Sequence, residues 1–270
     1  MIAFHNVDFW IGDHHILRDV SFWVPRGETK VILGPSGSGK STILRLLIGL
    51  ARPDAGSIQV DGEDITRVGE PRMRDIRRRM GMVFQQGALF DSMTVGENVG
   101  YSRLEHADRP EEQVEEEIRR YLRLVGLEED LIDRMPDQLS GGMQRRVAIA
   151  RALAAQDPDI LLYDEPTTGL DPQSAERVTD LIVQLRDTMG KTAIMVTHDI
   201  ADAFKVENRI TVLDEGGVVF EGAPAELVAS DNPFIMEFLA PFRKAMLVAS
   251  QKLDTSQRVA GRPSTGGGMP

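Results

Sequence analysis

Two hydrophobic patterns divide most of the chain into strands and helices. Alternating or unbroken apolar runs predict strands within residues 2–30 and at 57–60, 82–85, 160–163, 192–197 and 210–220. The run Val31–Leu33 is also unbroken, and it leads into a glycine-rich loop. Because such strands are separated by helical segments, the pattern predicts a parallel α/β sheet.

Helices are predicted where apolar residues recur every three or four positions. In residues 111–125, Val114, Ile118 and Leu122 share one face, with acidic residues opposite. Further helices are predicted at 43–48, 72–79, 139–155, 178–185, 225–228 and 234–248. Residues 89–155 lack strand signal, so we predict that they form an inserted helical lobe. Residues 256–270 are rich in Gly, Ser and Pro and are predicted to be disordered.

Composition excludes several classes of function. The 270 residues suffice for one large α/β domain or for one domain with an inserted lobe. A net charge of −11 argues against a nucleic-acid partner, since that contact needs basic surface. The absence of cysteine excludes disulfides and cysteine metal sites. No apolar run reaches the roughly 18 residues of a membrane-spanning helix, so we expect a cytoplasmic chain that reaches a membrane only through a partner.

Residues Gly34–Thr42 fit the pattern G-x-x-x-x-G-K-[ST] between a predicted strand and a predicted helix. Its glycines let the backbone wrap around phosphate oxygens, with successive N–H groups pointing inward. Lys40 then reaches the β- and γ-phosphates, and Ser41 is placed to bind Mg²⁺. The pattern therefore predicts a nucleoside triphosphate site.

Two further motifs point to the same chemistry. Asp164 and Glu165 end an apolar strand, where one carboxylate can hold Mg²⁺ and the other can polarise the attacking water. Ser140 can cap a helix whose first turn, Gly141–Gly142, lacks side chains, which leaves a positively polarised end suited to an anion. A plain capped helix explains that second motif equally well. If it does bind phosphate, two chains share a nucleotide.

Together, Gly34–Thr42, Gln85, Leu139–Gly142, Ile160–Pro166, Gly169–Asp171 and Thr197–Asp199 resemble the ATPase subunits of ABC transporters in order and rough spacing. The resemblance covers residues 2–235 and is highly specific in its signature, Leu139–Gly142. It implies a P-loop NTPase (RecA-like) core with an antiparallel β subdomain and an inserted α-helical subdomain. The implied division is an ATPase domain at 1–240, with the helical subdomain at about 89–155, and a C-terminal extension at 241–270.

The resemblance also assigns roles to residues. It implies ATP and Mg²⁺ as cofactors, and Lys40, Glu165 and His198 as catalytic residues, with Glu165 the base and His198 the γ-phosphate switch. The implied magnesium ligands are Ser41, Gln85 and Asp164. The implied nucleotide contacts are Gly34, Pro35, Ser36, Gly37, Ser38, Gly39, Lys40, Ser41, Thr42, Gln85, Ser140, Gly141, Gly142 and Asp171, the last in a dimer-contact loop. The other histidines, His5, His14, His15 and His106, are interpreted as structural or surface residues.

The chain departs from the family pattern at two places. Met143 stands where a glutamine is common, which leaves Ser140 and the backbone donors in place. The residue before Gly12 is Ile11 rather than an aromatic. Either Trp10 stacks on adenine in its stead or base stacking is weak, and the alternative role of Trp10 is that of a strand-core residue.

A narrower resemblance lies in Phe84–Val95 and Leu139–Arg146, which are similar to the ATPases of Mla/MCE-type lipid transport systems. It implies a second copy of the chain, integral-membrane permease subunits and a lipid-binding MCE-type protein as partners. It also implies a peripheral location on the cytoplasmic side of the inner membrane. Leu89, Phe90 and Met93 are predicted to contact the permease, with packing inside the lobe as the alternative. An importer of amino acids or metal ions shares the core motifs and is the alternative function.

Overall fold

The computed structural model describes residues 1–106 and 111–244. The chain divides into two compact units, residues 1–224 and residues 225–270. The predicted disordered tail at 256–270 and the end of the helix predicted at 234–248 lie outside the described residues. Within the described ranges, no helix combines the length and the apolar character that a membrane crossing requires.

Two sheets organise the first unit. A four-stranded sheet has the order β2-β1-β4-β5, and a six-stranded sheet has the order β10-β9-β3-β8-β7-β6. The strands are β1 (Ile2–Ile11), β2 (His14–Val24), β3 (Thr29–Leu33), β4 (Ala55–Val60), β5 (Glu63–Asp64), β6 (Met80–Val83), β7 (Ile160–Asp164), β8 (Thr192–Thr197), β9 (Arg209–Asp214) and β10 (Gly217–Gly222).

Parallel pairing in the six-stranded sheet confirms the predicted α/β class. Strand β3 pairs in parallel with β8 and β9, and β7 pairs in parallel with β8 and β6. Every residue of β3 and β8 is buried, and the apolar runs Val31–Leu33 and 193–196 within them fit strands that are covered on both faces. Only β10 runs antiparallel, as the predicted hairpin partner of β9.

Helices cover the sheets and fill the chain between β6 and β7. They are α1 (Lys40–Leu47), α2 (Glu70–Arg77), α3 (Val95–His106), α4 (Glu111–Leu124), α5 (Gly141–Gln156), α6 (Pro172–Met189), α7 (Ile200–Val206) and α8 (Pro224–Val228). Helix α1 packs on the core through Ile43 and Leu44, in a cluster that includes Ile32, Leu162 and Ile194. Helices α3, α4 and α5 pack on one another. Residues 129–133 and 136–138 are short 3₁₀ turns.

Several predicted boundaries were wrong. Strand β6 spans Met80–Val83, so the predicted strand at 82–85 was displaced by two residues. Strands β1 and β2 span ten and eleven residues rather than forming short strands. Helix α6 extends well beyond the predicted 178–185, because Asp171 caps it and Pro172 begins it. Helix α3 was not predicted.

In the second unit, residues 233–244 are helical and follow α8. Ile235 and Leu239 are buried, and the rings of Phe234 and Phe238 stack with centroids 5.7 Å apart. This spacing of three to four residues matches the apolar pattern from which a helix was predicted at 234–248.

Candidate functional site

The carboxyl ends of four parallel strands bring the predicted site residues to one edge of the sheet. In the strand register, Leu33 lies opposite Thr197, Asp164 opposite Val196, and Val83 opposite Tyr163. The chain segments that follow these strands carry Gly34–Thr42, His198, Glu165 and Gln85. Ligands of open α/β sheets bind at this edge, so its side chains form the candidate site.

The phosphate loop between β3 and α1 keeps its shape through glycine. Gly39 caps α1 with φ 99°, a conformation that side-chain-bearing residues rarely adopt. At Gly34, a Cβ would lie 2.3 Å from the carbonyl oxygen of Leu213. Glycine is therefore required at Gly39 by conformation and at Gly34 by close approach of the backbone.

Lys40 is buried inside this loop. Its Nζ donates to the carbonyl oxygens of Gly34 and Pro35, both at 2.9 Å, and lies 3.9 Å from Glu165 Oε1. Burial lowers the pKa of the Lys40 ammonium, while the nearby carboxylates of Glu165 and Asp164 act in the opposite direction. The ammonium is thus held beside the loop backbone with two carboxylates close to it.

Ser41 and Asp164 form a pair of oxygen groups beside the loop. Ser41 Oγ donates to Asp164 Oδ1 at 2.8 Å, which joins the first turn of α1 to the end of β7. Burial raises the pKa of Asp164, an effect that the Ser41 hydrogen bond opposes. A hydroxyl and a carboxylate at this separation are ligands that suit Mg²⁺, and a bound cation would offset the cost of the buried charge.

Glu165 is the most highly connected side chain of the site. Its Oε2 lies 3.2 Å from Gln85 Nε2, 3.0 Å from Thr168 Oγ1 and 3.2 Å from His198 Nδ1. Its backbone has φ 46°, an uncommon conformation for a residue with a side chain, and its N–H donates to Val196 O at 2.9 Å. Two segments far apart in sequence, those of Gln85 and His198, therefore converge with Thr168 on one carboxylate.

The loop after β6, which carries Gln85, is fixed by arginines of α5. Arg145 Nη1 donates to Phe84 O at 2.8 Å, and Arg151 donates to Ala88 O at 2.7 Å and to Gly87 O at 2.9 Å. Arg151 also lies over the Phe90 ring, 5.6 Å from its centroid. These contacts were not predicted, because nothing in the sequence pairs α5 with this loop.

Asn98 of α3 fixes the rest of the loop. It is fully buried, accepts from Phe90 N–H at 2.8 Å and donates to the carbonyls of Phe90, Met93 and Thr94. Phe90 stays 41% exposed, and Leu89 and Met93 are half-buried. The alternative in which all three residues pack inside the lobe is therefore wrong for Phe90.

The Ser140 motif begins a helix, as predicted, and lies beside α6. Ser140 Oγ accepts from Met143 N–H at 3.3 Å and caps α5. A Cβ on Gly141 would lie 3.2 Å from Leu170, and one on Gly142 would lie 2.7 Å from Ser174. Within the chain, the two glycines of this helix end thus lie against the start of α6 and the residues before it. Ser140 and Gly141 are exposed.

Asp171 is placed at the same corner of the molecule. Its Oδ1 accepts from Ser174 N–H at 3.0 Å, so its side chain caps α6. A cleft of about 510 Å³ lies between this corner and α7, and its lining includes Gly169, Leu170 and His198. The loop 169–171 therefore connects the Ser140 end to the His198 side of the site.

Trp10 lies in the hairpin between β1 and β2. It is 45% exposed, so the alternative that made it a strand-core residue was wrong. The hairpin approaches the phosphate loop, since a Cβ on Gly39 would lie 3.0 Å from Ile16 O. The Trp10 ring stacks on the ring of His15. The sequence had indicated only a structural or surface role for His15.

Comparisons with known proteins agree with this geometry. A family described as "ABC transporter" matches residues 17–168. The chain is 38% identical over 88% of its length to the Escherichia coli K12 "Intermembrane phospholipid transport system ATP-binding protein MlaF", of which it covers 88%. It is 42% identical over 84% of its length to the Rhizobium johnstonii "General L-amino acid transport ATP-binding protein AapP", of which it covers 86%.

A solved structure shows the same fold. The dimeric ATP-binding cassette MJ0796, in a post-hydrolysis state bound to ADP and Pi, matches with a TM-score of 0.75 and 36% identity. The match covers 83% of this chain and 98% of that one. It confirms the predicted P-loop NTPase fold class and supports the nucleotide chemistry of the site.

Proposed function

We propose that this chain, which belongs to the ABC transporter family and is one of its ATPases, powers lipid transport between bacterial membranes through a membrane permease. The observation that carries the ATPase part is the convergence of Lys40, Asp164 and Glu165 on the phosphate loop. The lipid part is supported by the similarity to a phospholipid transport ATPase over 88% of both chains.

In the proposed site, residues Gly34–Thr42 cradle the phosphates of ATP, and the Lys40 ammonium binds the β- and γ-phosphates. Ser41 and Asp164 are the oxygen ligands that would hold Mg²⁺, with Gln85 close by through its contact to Glu165. The ion would neutralise charge on the phosphate oxygens.

Glu165 is the proposed general base. Its carboxylate takes a proton from water as the water oxygen attacks the γ-phosphorus, and the bond from that phosphorus to the bridging oxygen of ADP breaks. Donation from Gln85 and Thr168 and the 3.2 Å contact of His198 orient the carboxylate. His198 is proposed to contact the γ-phosphate, which would make its position sensitive to hydrolysis.

The second half of each site is proposed to come from another copy of the chain. The capped end at Ser140 and Gly141 is exposed, and its first turn, which lacks side chains, suits an anion. The dimeric structure of the similar cassette supports this arrangement. Asp171 and the loop 169–171 then lie at the contact between copies, and Trp10 stacks on the adenine base.

The permease is proposed to bind the loop after β6. Phe84 and Phe90 are exposed there, next to Gln85, which contacts Glu165. A partner that pushes on this loop would therefore act on the base directly.

The proposed location is the cytoplasmic side of the inner membrane, with a lipid-binding MCE-type protein as a further partner. The proposed domain division is an ATPase domain at 1–240, a helical insertion at about 89–155 and an extension at 241–270.

Import of a small solute is the second candidate function. It is favoured by the 42% identity to an amino-acid transport ATPase. The two functions would use the same ATPase site, since the phosphate loop and Glu165 act on ATP and not on the transported molecule. They differ in the membrane partner.

Purification of the chain from its native membrane with its partners, followed by mass spectrometry of bound small molecules, tests the proposal. We expect co-purified permease subunits and a bound phospholipid, with the same lipid recovered from a Glu165→Gln preparation. Recovery of an amino-acid-binding or metal-binding partner protein instead of lipid would replace lipid transport by the second function.

A further inference from the structure

The hairpin between β1 and β2 carries a stack of two rings. Trp10 and His15 are opposite each other in the strand register, and their ring centroids are 3.8 Å apart with an interplanar angle of 6°. This separation is that of rings in direct contact, and it leaves no room for a third ring between them. The 45% exposure of Trp10 must therefore come from its other face and its edges.

The carboxylate of Asp8 holds the His15 imidazole in place through a hydrogen bond. His15 Nε2 donates to Asp8 Oδ1 at 2.7 Å, and the same oxygen accepts from Asp19 N–H at 3.3 Å. His15 and Asp8 keep only 23% and 30% of their side-chain surface. The imidazole plane is thus set by a hydrogen bond and by the stack together, which restricts the rotamers of both rings.

The backbone of Trp10 is held as well. Its N–H donates to Asp54 Oδ2 at 2.7 Å, and Asp54 N–H donates to Asp8 O at 2.9 Å. The turn at residues 53–54 therefore ties the end of β1 in place on the side away from β2. Both the main chain and the ring of Trp10 are therefore held by contacts within the chain.

The stack lies next to the phosphate loop along β2. Ile16, which directly follows His15, has its carbonyl oxygen 3.0 Å from where a Cβ on Gly39 would be. Leu17 Cδ2 would be 2.7 Å from the same Cβ. The stack is thus adjacent along the chain to a residue that contacts Gly39, the N-cap of α1.

We infer that His15 and Asp8 are positioning residues, which hold the Trp10 ring as a one-sided platform for the purine base of the nucleotide. The inference deepens the proposed function and rests on it, since Trp10 is taken there as the base-stacking residue. His15 closes one face of the indole, so that the base binds the other face. Pre-ordering of the ring lowers the entropy cost of that stacking.

The competing explanation is that the pair only stabilises the hairpin, as cross-strand aromatic pairs do. The two explanations differ in which ligands would bind more weakly when the Trp10–His15 pair is disrupted. A platform acts on nucleotides alone, whereas a folding role would disturb β2, the adjoining phosphate loop and every ligand of that loop. Inorganic tripolyphosphate is the matched probe, because it has the phosphates of ATP and no base.

The test compares His15→Ala and Asp8→Ala with His14→Ala, a control at an exposed position of the same hairpin. KM and kcat for ATP and the competitive inhibition constant of tripolyphosphate are measured for each variant. We expect KM for ATP to rise about two- to tenfold in the first two variants. The kcat, the tripolyphosphate constant and all values of His14→Ala should stay near wild type. His15→Phe should restore KM, because a ring again covers the indole.

Trp10 itself reports on its orientation. The chain has two tryptophans, so Trp23→Phe leaves Trp10 as the one tryptophan, which excitation at the red edge of indole absorption selects over tyrosine. In that background, His15→Ala should increase quenching of Trp10 by acrylamide, and saturating ATP should protect it less than in the parent variant.

An unchanged KM for ATP in His15→Ala would overturn the inference, as would a parallel rise in the tripolyphosphate constant. Trp10→Ala separates this failure from that of the proposed function. If Trp10→Ala raises KM for ATP and His15→Ala does not, the positioning role is wrong and the nucleotide site stands. A wild-type chain without ATP turnover would remove the proposed function instead.

Discussion

The phosphate-loop side and the Ser140 side of the candidate site differ in how much of the site one chain supplies. On the phosphate-loop side, Lys40 is buried, and Glu165 is engaged by groups from two distant segments as well as by the nearby Thr168. On the other side, Ser140 and Gly141 are exposed, and the contacts of the helix end run to α6. The buried cluster is held together by contacts within one chain, whereas the exposed helix end is suited to bind an anion that another molecule carries.

The difference has a mechanical consequence. Arg145 and Arg151 of α5 hold the loop that carries Gln85, and Gln85 contacts Glu165. The helix that Ser140 caps is therefore linked to Glu165, the proposed base, of its own chain. If the Ser140 end binds nucleotide held by a second copy, α5 connects the two reaction sites of the dimer.

Lys40→Ala should have the largest effect. Among the residues that the structure describes, Lys40 has the only ammonium inside the phosphate loop, and the substitution removes it. We expect kcat/KM for ATP to fall about 10²–10³-fold, together with loss of nucleotide binding by the isolated chain. Steady-state turnover and equilibrium binding of ATP measure the two effects. Normal turnover with unchanged affinity would contradict the assignment of the loop.

Gly142→Ala should have a smaller and different effect. The added Cβ would lie 2.7 Å from Ser174 Cβ and Oγ and would displace the start of α6. We expect kcat to fall about tenfold for a misplacement costing about 1.4 kcal/mol in the transition state. Binding of ATP to the isolated chain should remain, since the phosphate loop is untouched.

Ser174→Gly provides the matched rescue, because it removes the Cβ and Oγ that the new methyl group meets. The double variant Gly142→Ala/Ser174→Gly should recover most of the lost turnover. If Gly142→Ala weakens ATP binding as strongly as Lys40→Ala does, the two sides of the site are not separable in the way described.

Glu207→Gln should have the smallest effect and should change stability without changing turnover. Burial raises the pKa of Glu207 to about 7, from an ordinary value of 4.5. Below pH 4.5 the carboxyl is protonated in both the folded and the unfolded chain. As pH rises toward 7 the unfolded chain ionises first, so the folded state loses stability.

Replacement by Gln should therefore raise the melting temperature at pH 8 and leave it nearly unchanged at pH 4.5. Since the side chain is only half-buried, we expect about 1 kcal/mol, or about 2–4 °C. Glu128→Gln, at an exposed position, is the control. A stabilisation of equal size at both pH values would show that the ionisation of Glu207 is not its cause.

Much of the fold and the site could be predicted from local sequence. Strands β7 and β8 are built on the apolar runs 160–163 and 193–196, and Asp164 ends β7 while His198 directly follows β8, where motif spacing placed them. Helix α3 was missed because Gly96 and Gly100 break its pattern and Asn98 is buried in it. Gly96 is needed there, since a Cβ would lie 2.6 Å from Ile132. That requirement is tertiary and leaves no local signal.

The same limit applies to the site. Thr168, Arg145 and Arg151 act through contacts with carboxylate or carbonyl groups that depend on the folded chain. His15 is different, because a signal existed. Gly12 and Asp13 form the two-residue turn of a hairpin, and that turn places His15 opposite Trp10.

The central claim, that Ser140 of one copy closes the ATP site of another, is tested most directly by molecular mass in solution. With Glu165→Gln, which should slow hydrolysis about 10²–10⁴-fold, ATP should convert the chain to a stable dimer. Adding Ser140→Asp, which keeps a good helix cap but repels phosphate, should leave an ATP-bound monomer, while Ser140→Asn should still dimerise. An ATP-dependent dimer that forms equally well with Ser140→Asp would contradict the claim.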